Sequence, residues 1–369
     1  TFIEKLNQVT ENLTSCKGTK KESIYLPSIY EGCETTDAKK AIDETRTYFL
    51  KKLKGKAGST IIFTGSATES NNSVLNAVIT RKDKKYIFSA GEHSSIYETA
   101  KKYKENGYNI VFVPLNKNGS VNLELLRQAL DETVAFVSVI YVSNETGAIN
   151  PIKDIVKMVK GYNSNIQVHT DGVQALGKVE INLADMGVDY FTISAHKING
   201  PKGIGALYIA NPNKFKAFVV GGGQEMNLRS GTENIPGILA FRKAFEQLEV
   251  KDYSAYKQAL LENIDADNFL VSNDECVSNI ISICFKGVRG ETIQHMLEDK
   301  GCLVGTGSAC NSKAGKNRVL EGIVPAEYID GAIRISFGDD VSIEDCKNLG
   351  IEISSAVKQY IERIKRWIM

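Results

Sequence analysis

The alternation of short apolar runs with helix-like stretches predicts an α/β protein. Strand-like runs at residues 86–90, 110–115, 134–142, 166–170, 188–194 and 206–210 are interspersed with helix-like segments at 95–106, 122–131 and 152–160. Strands that alternate with helices build a mostly parallel, mixed sheet covered by helices on both faces. After about residue 250 the order changes to a strand at 279–285, a helix at 291–300, short strands at 302–304 and 332–337 and a long final helix at 342–366. That is the pattern of a smaller α+β domain. The predicted division is a large domain over 1–249 and a small C-terminal domain over 250–369, and a length of 369 residues agrees with two domains.

Composition narrows the classes further. With 42% hydrophobic and 24% charged residues the chain reads as an ordinary globular enzyme. A net charge of +1 gives no field to attract nucleic acid or an anionic membrane. No apolar run approaches the about 20 residues of a membrane-spanning helix and no signal-peptide pattern opens the chain, so a cytoplasmic location is expected. The seven cysteines, at 16, 33, 276, 284, 302, 310 and 346, are odd in number and contain no Cys-x-x-Cys. Neither a disulfide framework nor a zinc site is predicted, and Cys284 and Cys302, each within a strand-like run, read as buried small hydrophobes.

Taken in order, each element ends on residues with chemistry to offer. The run Ile61-Ile62-Phe63-Thr64 leads through a Gly/Ser turn into a helix for which Ser66 and Thr68 are cap candidates. Backbone N–H groups at such a helix start can bind phosphate, although an ordinary capped helix looks the same in sequence. His93 follows the strand at 86–90 and opens a helix, where a histidine is a cap, a surface residue or a proton carrier. Asn144 follows the strand at 134–142 and reads equally as a turn former.

The strand at 166–170 runs into a carboxylate, Asp171, and the strand at 188–194 into Ser194-Ala195-His196-Lys197, with glycines beyond it for a tight turn. Open α/β sheets place their ligands at such strand ends. A desolvated lysine there can lose its proton below its usual pKa of about 10.4 and attack a carbonyl. A carboxylate and a lysine are the pair a pyridoxal phosphate enzyme needs, one for the ring nitrogen and one for the aldehyde. A solvated loop lysine remains the plain alternative for Lys197.

The glycine-rich loop at 220–225 runs on to Arg229-Ser230-Gly231-Thr232. In the predicted small domain, Cys310 sits among small and polar residues with Lys313 and Lys316 close by, surroundings that favour a thiolate. Arg334 lies between two isoleucines in a strand and needs an anionic partner there, such as a substrate carboxylate.

The strings Thr-Gly-Ser-Ala-Thr-Glu-Ser at 64–70, Glu92-His93, Asn144-Glu145-Thr146-Gly147, Asp171-Gly172-Val173-Gln174, Ser194-Ala195-His196-Lys197, Arg229-Ser230-Gly231-Thr232, Gly307-Ser308-Ala309-Cys310 and Ile333-Arg334-Ile335-Ser336-Phe337-Gly338 resemble, in order, those of the cysteine desulfurases of the nitrogenase and iron-sulfur-cluster type. The resemblance implies the fold type I of pyridoxal 5'-phosphate enzymes, within the class V aminotransferases. It implies Lys197, Cys310 and His93 as catalytic residues, with protons moved by Lys197 and His93. The cofactor would be held by Ala67, Thr68, His93, Asn144, Asp171, Gln174, Ser194, His196, Lys197 and Thr232, and the substrate by Asn144 and Arg334. Thr232 would reach the phosphate of a neighbouring subunit, making the enzyme a homodimer. The implied reaction turns L-cysteine into L-alanine, leaving a persulfide on Cys310 for a sulfur-acceptor or scaffold protein. Selenocysteine lyase, another aminotransferase or lyase of this fold, and a non-catalytic relative are the other readings.

The opening of the chain departs from the resembling family. It begins at Thr1 without the short Asp-Asn-Ala-Ala-Thr-Thr-like segment, and residues 25–32 stand where an Asn-Pro-Ser-Ser segment follows in that family. Truncation or processing, and a differently built active-site mouth, are the expectations there.

Overall fold

The computed structural model describes residues 34–306 and 317–368. Helix α1 (Glu34–Lys52) precedes an alternating series: β1 (Thr60–Thr64), α2 (Ala67–Val78), β2 (Lys85–Ser89), α3 (Ser94–Glu105), β3 (Asn109–Val113), α4 (Leu123–Ala129), β4 (Val134–Ser138), α5 (Ile152–Tyr162), β5 (Gln167–Asp171), α6 (Leu183–Met186), β6 (Tyr190–Ser194) and β7 (Gly205–Ile209). The seven strands form one sheet in the order β1-β7-β6-β5-β4-β2-β3. Neighbours from β6 through β5, β4 and β2 to β3 are parallel, while β7 is antiparallel to both β6 and β1. Because only β7 is reversed, the carboxyl ends of β1, β2, β4, β5 and β6 all lie along one edge. The expected mostly parallel, mixed sheet is what forms.

Both faces of this sheet are buried, and the side-chain alternation of a strand distributes its residues between them. Ile61, Phe63 and Ile87 enter one core with α1, α5 and α7 (Ile235–Glu246), whereas Ile62, Tyr86 and Phe88 enter the other with α2 and α3. Each apolar strand residue thus finds a helix on its own side.

Beyond α7 come α8 (Ser254–Leu261), β8 (Asn268–Leu270), β9 (Ile280–Phe285), α9 (Gly290–Glu298), α10 (Ala326–Ile329), β10 (Ala332–Ser336) and α11 (Ile343–Ile368). The second sheet is antiparallel in the order β10-β9-β8. It has its own core, in which Ile281, Ile283 and Phe285 meet Leu260, Leu297, Ile353 and Val357 from the flanking helices. Gly331 permits the tight join of β10 to β9, since a Cβ there would lie 1.9 Å from the Phe285 carbonyl oxygen.

Three expectations are corrected. The apolar run at 134–142 is a regular strand only to Ser138; beyond it the Val139 and Tyr141 N–H groups still donate to the His169 and Asp171 carbonyls of β5, and Val142 turns to a bridge with Ile149. Residues 302–304 are not a strand: only Gly305 forms a bridge, to Arg334. Cys302 is accordingly half-buried at the margin of the small core, whereas Cys284 is fully buried as expected. Cys16, Cys33, Cys310, Lys313, Lys316 and the unusual segment at 25–32 lie outside the described residues.

Candidate active site

The common strand edge brings four of the expected groups into one place. Lys197 follows β6 in a short 3-10 turn, Ala195–Ile198, closed by Asn199 in the left-handed region at φ 59°. Asp171 is the last residue of β5, in register with Thr192 of β6. His93 follows β2 as the cap of α3, and Ala67 and Thr68 begin α2 after β1. The shared edge follows from strand direction, because each residue sits at or just past the carboxyl end of a strand and these strands all run the same way.

Lys197 is exposed at the strand edge, with its ammonium only partly desolvated by the surrounding protein. That desolvation, followed by the positive charge of Arg334, holds its pKa below the ordinary lysine value. Desolvation likewise lowers the pKa of His196, with the charges of Lys197, Lys202 and His93 adding to it. Ser194 is buried, and its hydroxyl lies 2.8 Å from His196 Nδ1 and 3.3 Å from the Ile204 carbonyl. Histidine and serine therefore support one another beside the lysine.

Asp171 is buried, and both carboxylate oxygens face N–H donors. Asn71 Nδ2 donates to Oδ2 at 2.8 Å, and the Val173 backbone N–H donates to Oδ1 at 3.0 Å. Such an acceptor-only arrangement suits an ionised carboxylate. Gln174, three residues after Asp171, is held by Lys178, whose Nζ donates to its side-chain oxygen at 2.6 Å and to its backbone carbonyl at 3.1 Å. Burial and the neighbouring Lys197 bring the Lys178 pKa down to about 8.

The start of α2 is a capped turn packed tightly against β7. Ser66 caps it by accepting from the Glu69 N–H at 3.1 Å, and β7 approaches so closely that a Cβ on Gly205 would lie 2.6 Å from the Ser66 carbonyl carbon. Thr68 is exposed at this start. Glu69 itself accepts from the Gly65 N–H at 2.8 Å and from Arg229 Nε at 2.7 Å, so the 229–232 segment is tied to the turn. Thr232 stands exposed just beyond it.

From the small sheet, Arg334 Nη1 comes within 3.4 Å of Glu145 Oε1, the anionic partner its position requires. Glu145 is buried and also accepts from Asn144 Nδ2 at 2.9 Å and Asn317 Nδ2 at 3.1 Å. Arg318 donates to the carbonyls of Ala90 and Glu92 and lies over the Tyr97 ring at 3.7 Å. Arg334 and Arg318 thus meet the loops that carry Asn144 and His93.

Several residues at this edge carried no signal of their own. Glu145 follows Asn144, and Asn71 lies three residues after Thr68, with no spacing that marks either for a role. Glu92 is fully buried, and burial, with the charge of Asp171 adding to it, pushes its pKa up to about 8. Ser138 donates to Glu92 Oε1 at 3.0 Å and lies 3.0 Å from Nδ1 of buried His169, whose pKa burial lowers to about 3. A spacing of four from Gln174 is the one sequence hint for Lys178.

Fold and edge together define the class of protein. The class-V aminotransferase model matches residues 32–349, and the chain belongs to that family. Among its relatives, cysteine desulfurase IscS of Dictyoglomus turgidum is 35% identical over 324 residues, 84% of this chain and 82% of that protein. A solved NifS-like protein superposes with a TM-score of 0.83 at 29% identity, covering 96% of each chain. SspA in complex with cysteine superposes with a TM-score of 0.76 at 26% identity, covering 89% of this chain and 94% of SspA. Among the described residues no helix is long and apolar enough to cross a membrane.

Proposed function

We propose that this chain is a pyridoxal-phosphate-dependent cysteine desulfurase that converts L-cysteine to L-alanine, takes the sulfur onto Cys310 as a persulfide and passes it to an acceptor protein. The observation that carries the reading is the strand edge where Asp171, Lys197, His93 and the start of α2 converge. The relatives supply the sulfur chemistry: cysteine desulfurases at 35% identity, and a structural neighbour whose ligand is cysteine.

The donor set fits the cofactor. A carboxylate with two N–H donors suits a protonated ring nitrogen, a lysine of lowered pKa suits an aldehyde, and a capped helix start hemmed by Gly205 suits a phosphate. Ala67, Thr68, Ser194 and His196 would take the phosphate, Gln174 the ring hydroxyl, and His93 and Asn144 the ring itself. When bound, pyridoxal phosphate supplies an electron sink that eases bond breaking next to the amino acid's α carbon.

The chain's own residues do the rest. Arg334, with Asn144, binds the substrate carboxylate. Lys197, its Nζ held below the usual pKa by desolvation, takes and returns the proton. The Cys310 thiolate attacks the substrate sulfur, so that an S–S bond replaces the C–S bond and alanine leaves after gaining a proton. Thr232 at the end of its exposed loop supports a homodimer in which each loop serves the neighbouring site.

Turnover of L-cysteine by the protein loaded with pyridoxal phosphate tests the reading, with alanine and sulfide followed together. Lys197→Ala should lose both products and the visible absorbance of lysine-bound pyridoxal. Cys310→Ser should keep the spectral response to cysteine, yet form alanine only at background. After one turnover the wild-type peptide containing Cys310 should gain about 32 Da, the mass of one sulfur. Wild-type turnover by Cys310→Ser, or the added sulfur on another cysteine, would sink the desulfurase reading.

A further inference from the structure

Asn71 is buried inside α2 with no place in the expected site, yet it touches two of its parts. Its Nδ2 donates to Asp171 Oδ2 at 2.8 Å and to Ser95 Oγ at 2.9 Å. An amide nitrogen has two hydrogens, so both are spent. The other end of the same amide, Oδ1, is buried and has no hydrogen-bond partner among the described residues. An orphaned buried oxygen is unfavourable, and turning the amide over would remove neither problem, because it would point that oxygen at the Asp171 carboxylate. The carboxylate therefore dictates which way Asn71 faces.

The orientation passes on to Ser95 and then to His93. Ser95 Oγ already accepts from Asn71, and its other close polar neighbour is His93 Nδ1 at 2.9 Å. Asn71 offers that hydroxyl only a donor, so the Ser95 hydrogen points to His93. The Ser95 backbone N–H donates to the same Nδ1 at 3.2 Å. Two donors on one nitrogen leave it no room for a hydrogen of its own, and a neutral imidazole then carries its hydrogen on Nε2.

We infer that Asn71 is a positioning residue: it relays the orientation set by Asp171 through Ser95 to His93 and fixes His93 as the Nε2–H tautomer. This rests on the reading of Asp171 and His93 as parts of one cofactor site, and it deepens that reading. A neutral His93 locked in this way donates at Nε2 and cannot accept a proton there. Proton abstraction falls to Lys197, and His93 serves the site as a fixed donor. Asp171 and His93, the two residues that would hold the cofactor, are thereby set together by one amide.

The test reads the tautomer directly, without cofactor or cysteine. Long-range proton–nitrogen NMR of the full chain labelled with 15N-histidine resolves four histidines, and the His93 signals are those missing from His93→Gln. At alkaline pH, where an imidazole is neutral, wild-type His93 should show a bare Nδ1 and a protonated Nε2. Asn71→Ala should move the tautomer ratio about fivefold toward Nδ1–H, one neutral hydrogen bond's worth. Ser95→Ala should do the same, and the double variant should move it no further, since both act through one chain of bonds. If Asn71→Ala does not fold, Ser95→Ala carries the test alone. A wild-type His93 with hydrogen on Nδ1, or a folded variant with an unchanged ratio, would overturn the relay. Absent cysteine turnover beside the expected tautomer would sink the desulfurase activity and leave the relay standing.

Discussion

Glu92 shows how a single residue at the strand edge shapes the whole protein's response to pH. Its carboxyl is fully buried, accepts from Ser138, and has a second oxygen with no partner among the described residues. Burial first, and the charge of Asp171 second, raise its pKa from 4.5 to about 8, so the native state keeps a proton that the unfolded chain has lost at neutral pH. A raised folded-state pKa adds stability that is fully present below about 4.5 and is lost as the pH rises through about 8. Glu92→Gln keeps the shape and removes the titration. Unfolding free energies from urea titrations between pH 5 and pH 8.5 should therefore fall for the wild type by up to about 1.4 kcal/mol per pH unit more than for Glu92→Gln. Parallel pH profiles for the two proteins would contradict a protonated Glu92.

At the scale of elements, the start of α2 depends on how closely β7 approaches it. Gly205 begins β7 and pairs with Thr64 at the end of β1, just before the cap residue Ser66. A methyl group there would lie 2.6 Å from the Ser66 carbonyl carbon and 2.8 Å from the Ala67 nitrogen. Both atoms are backbone, so the helix start must move and not a side chain. Gly205→Ala should weaken binding of pyridoxal phosphate about tenfold, following the usual penalty for overpacking. A fluorescence titration of the cofactor-free protein reads this, and an unchanged affinity would show that α2 does not carry the phosphate. Because β7 runs antiparallel between β1 and β6, its glycine end, not a side chain, meets the turn after β1.

At the scale of the molecule, two sheets with separate cores meet at the site. Asn199, in the turn after Lys197, donates to Asp339 Oδ2 at 3.0 Å, and Tyr253 donates to the other oxygen of Asp339 at 3.0 Å. The lysine turn of the large sheet is thus anchored to the segment that follows Arg334. The proposed dimer adds a second level of sharing, through Thr232. Mixing inactive Lys197→Ala chains with inactive Thr232→Ala chains should restore part of the activity, because one of the two sites in a mixed dimer regains both residues. No recovery on mixing, or a fully active monomer by ultracentrifugation, would remove the shared site.

The order of strands and helices, and which strand ends carry chemistry, were written locally in the sequence. Apolar runs of β-branched and aromatic residues made the strands, and Asp171 and the Ser194–Lys197 run stood directly after two of them. The second, antiparallel sheet showed itself as a change in that rhythm, although the run at 302–304 misled because an apolar stretch without a strand partner stays extended loop. Only the tertiary structure decided which ends face one another. Strand direction and the order β1-β7-β6-β5-β4-β2-β3 put residues from 67 to 197 along one edge, a property of the assembled sheet that no single segment encodes. The Asn71, Ser95 and His93 chain was beyond sequence reading for the same reason: it exists because α2 and α3 pack side by side. Burial decided the charges, since Glu92 keeps its proton and Lys197 loses its own more readily through what surrounds each of them, and those surroundings come from distant parts of the chain.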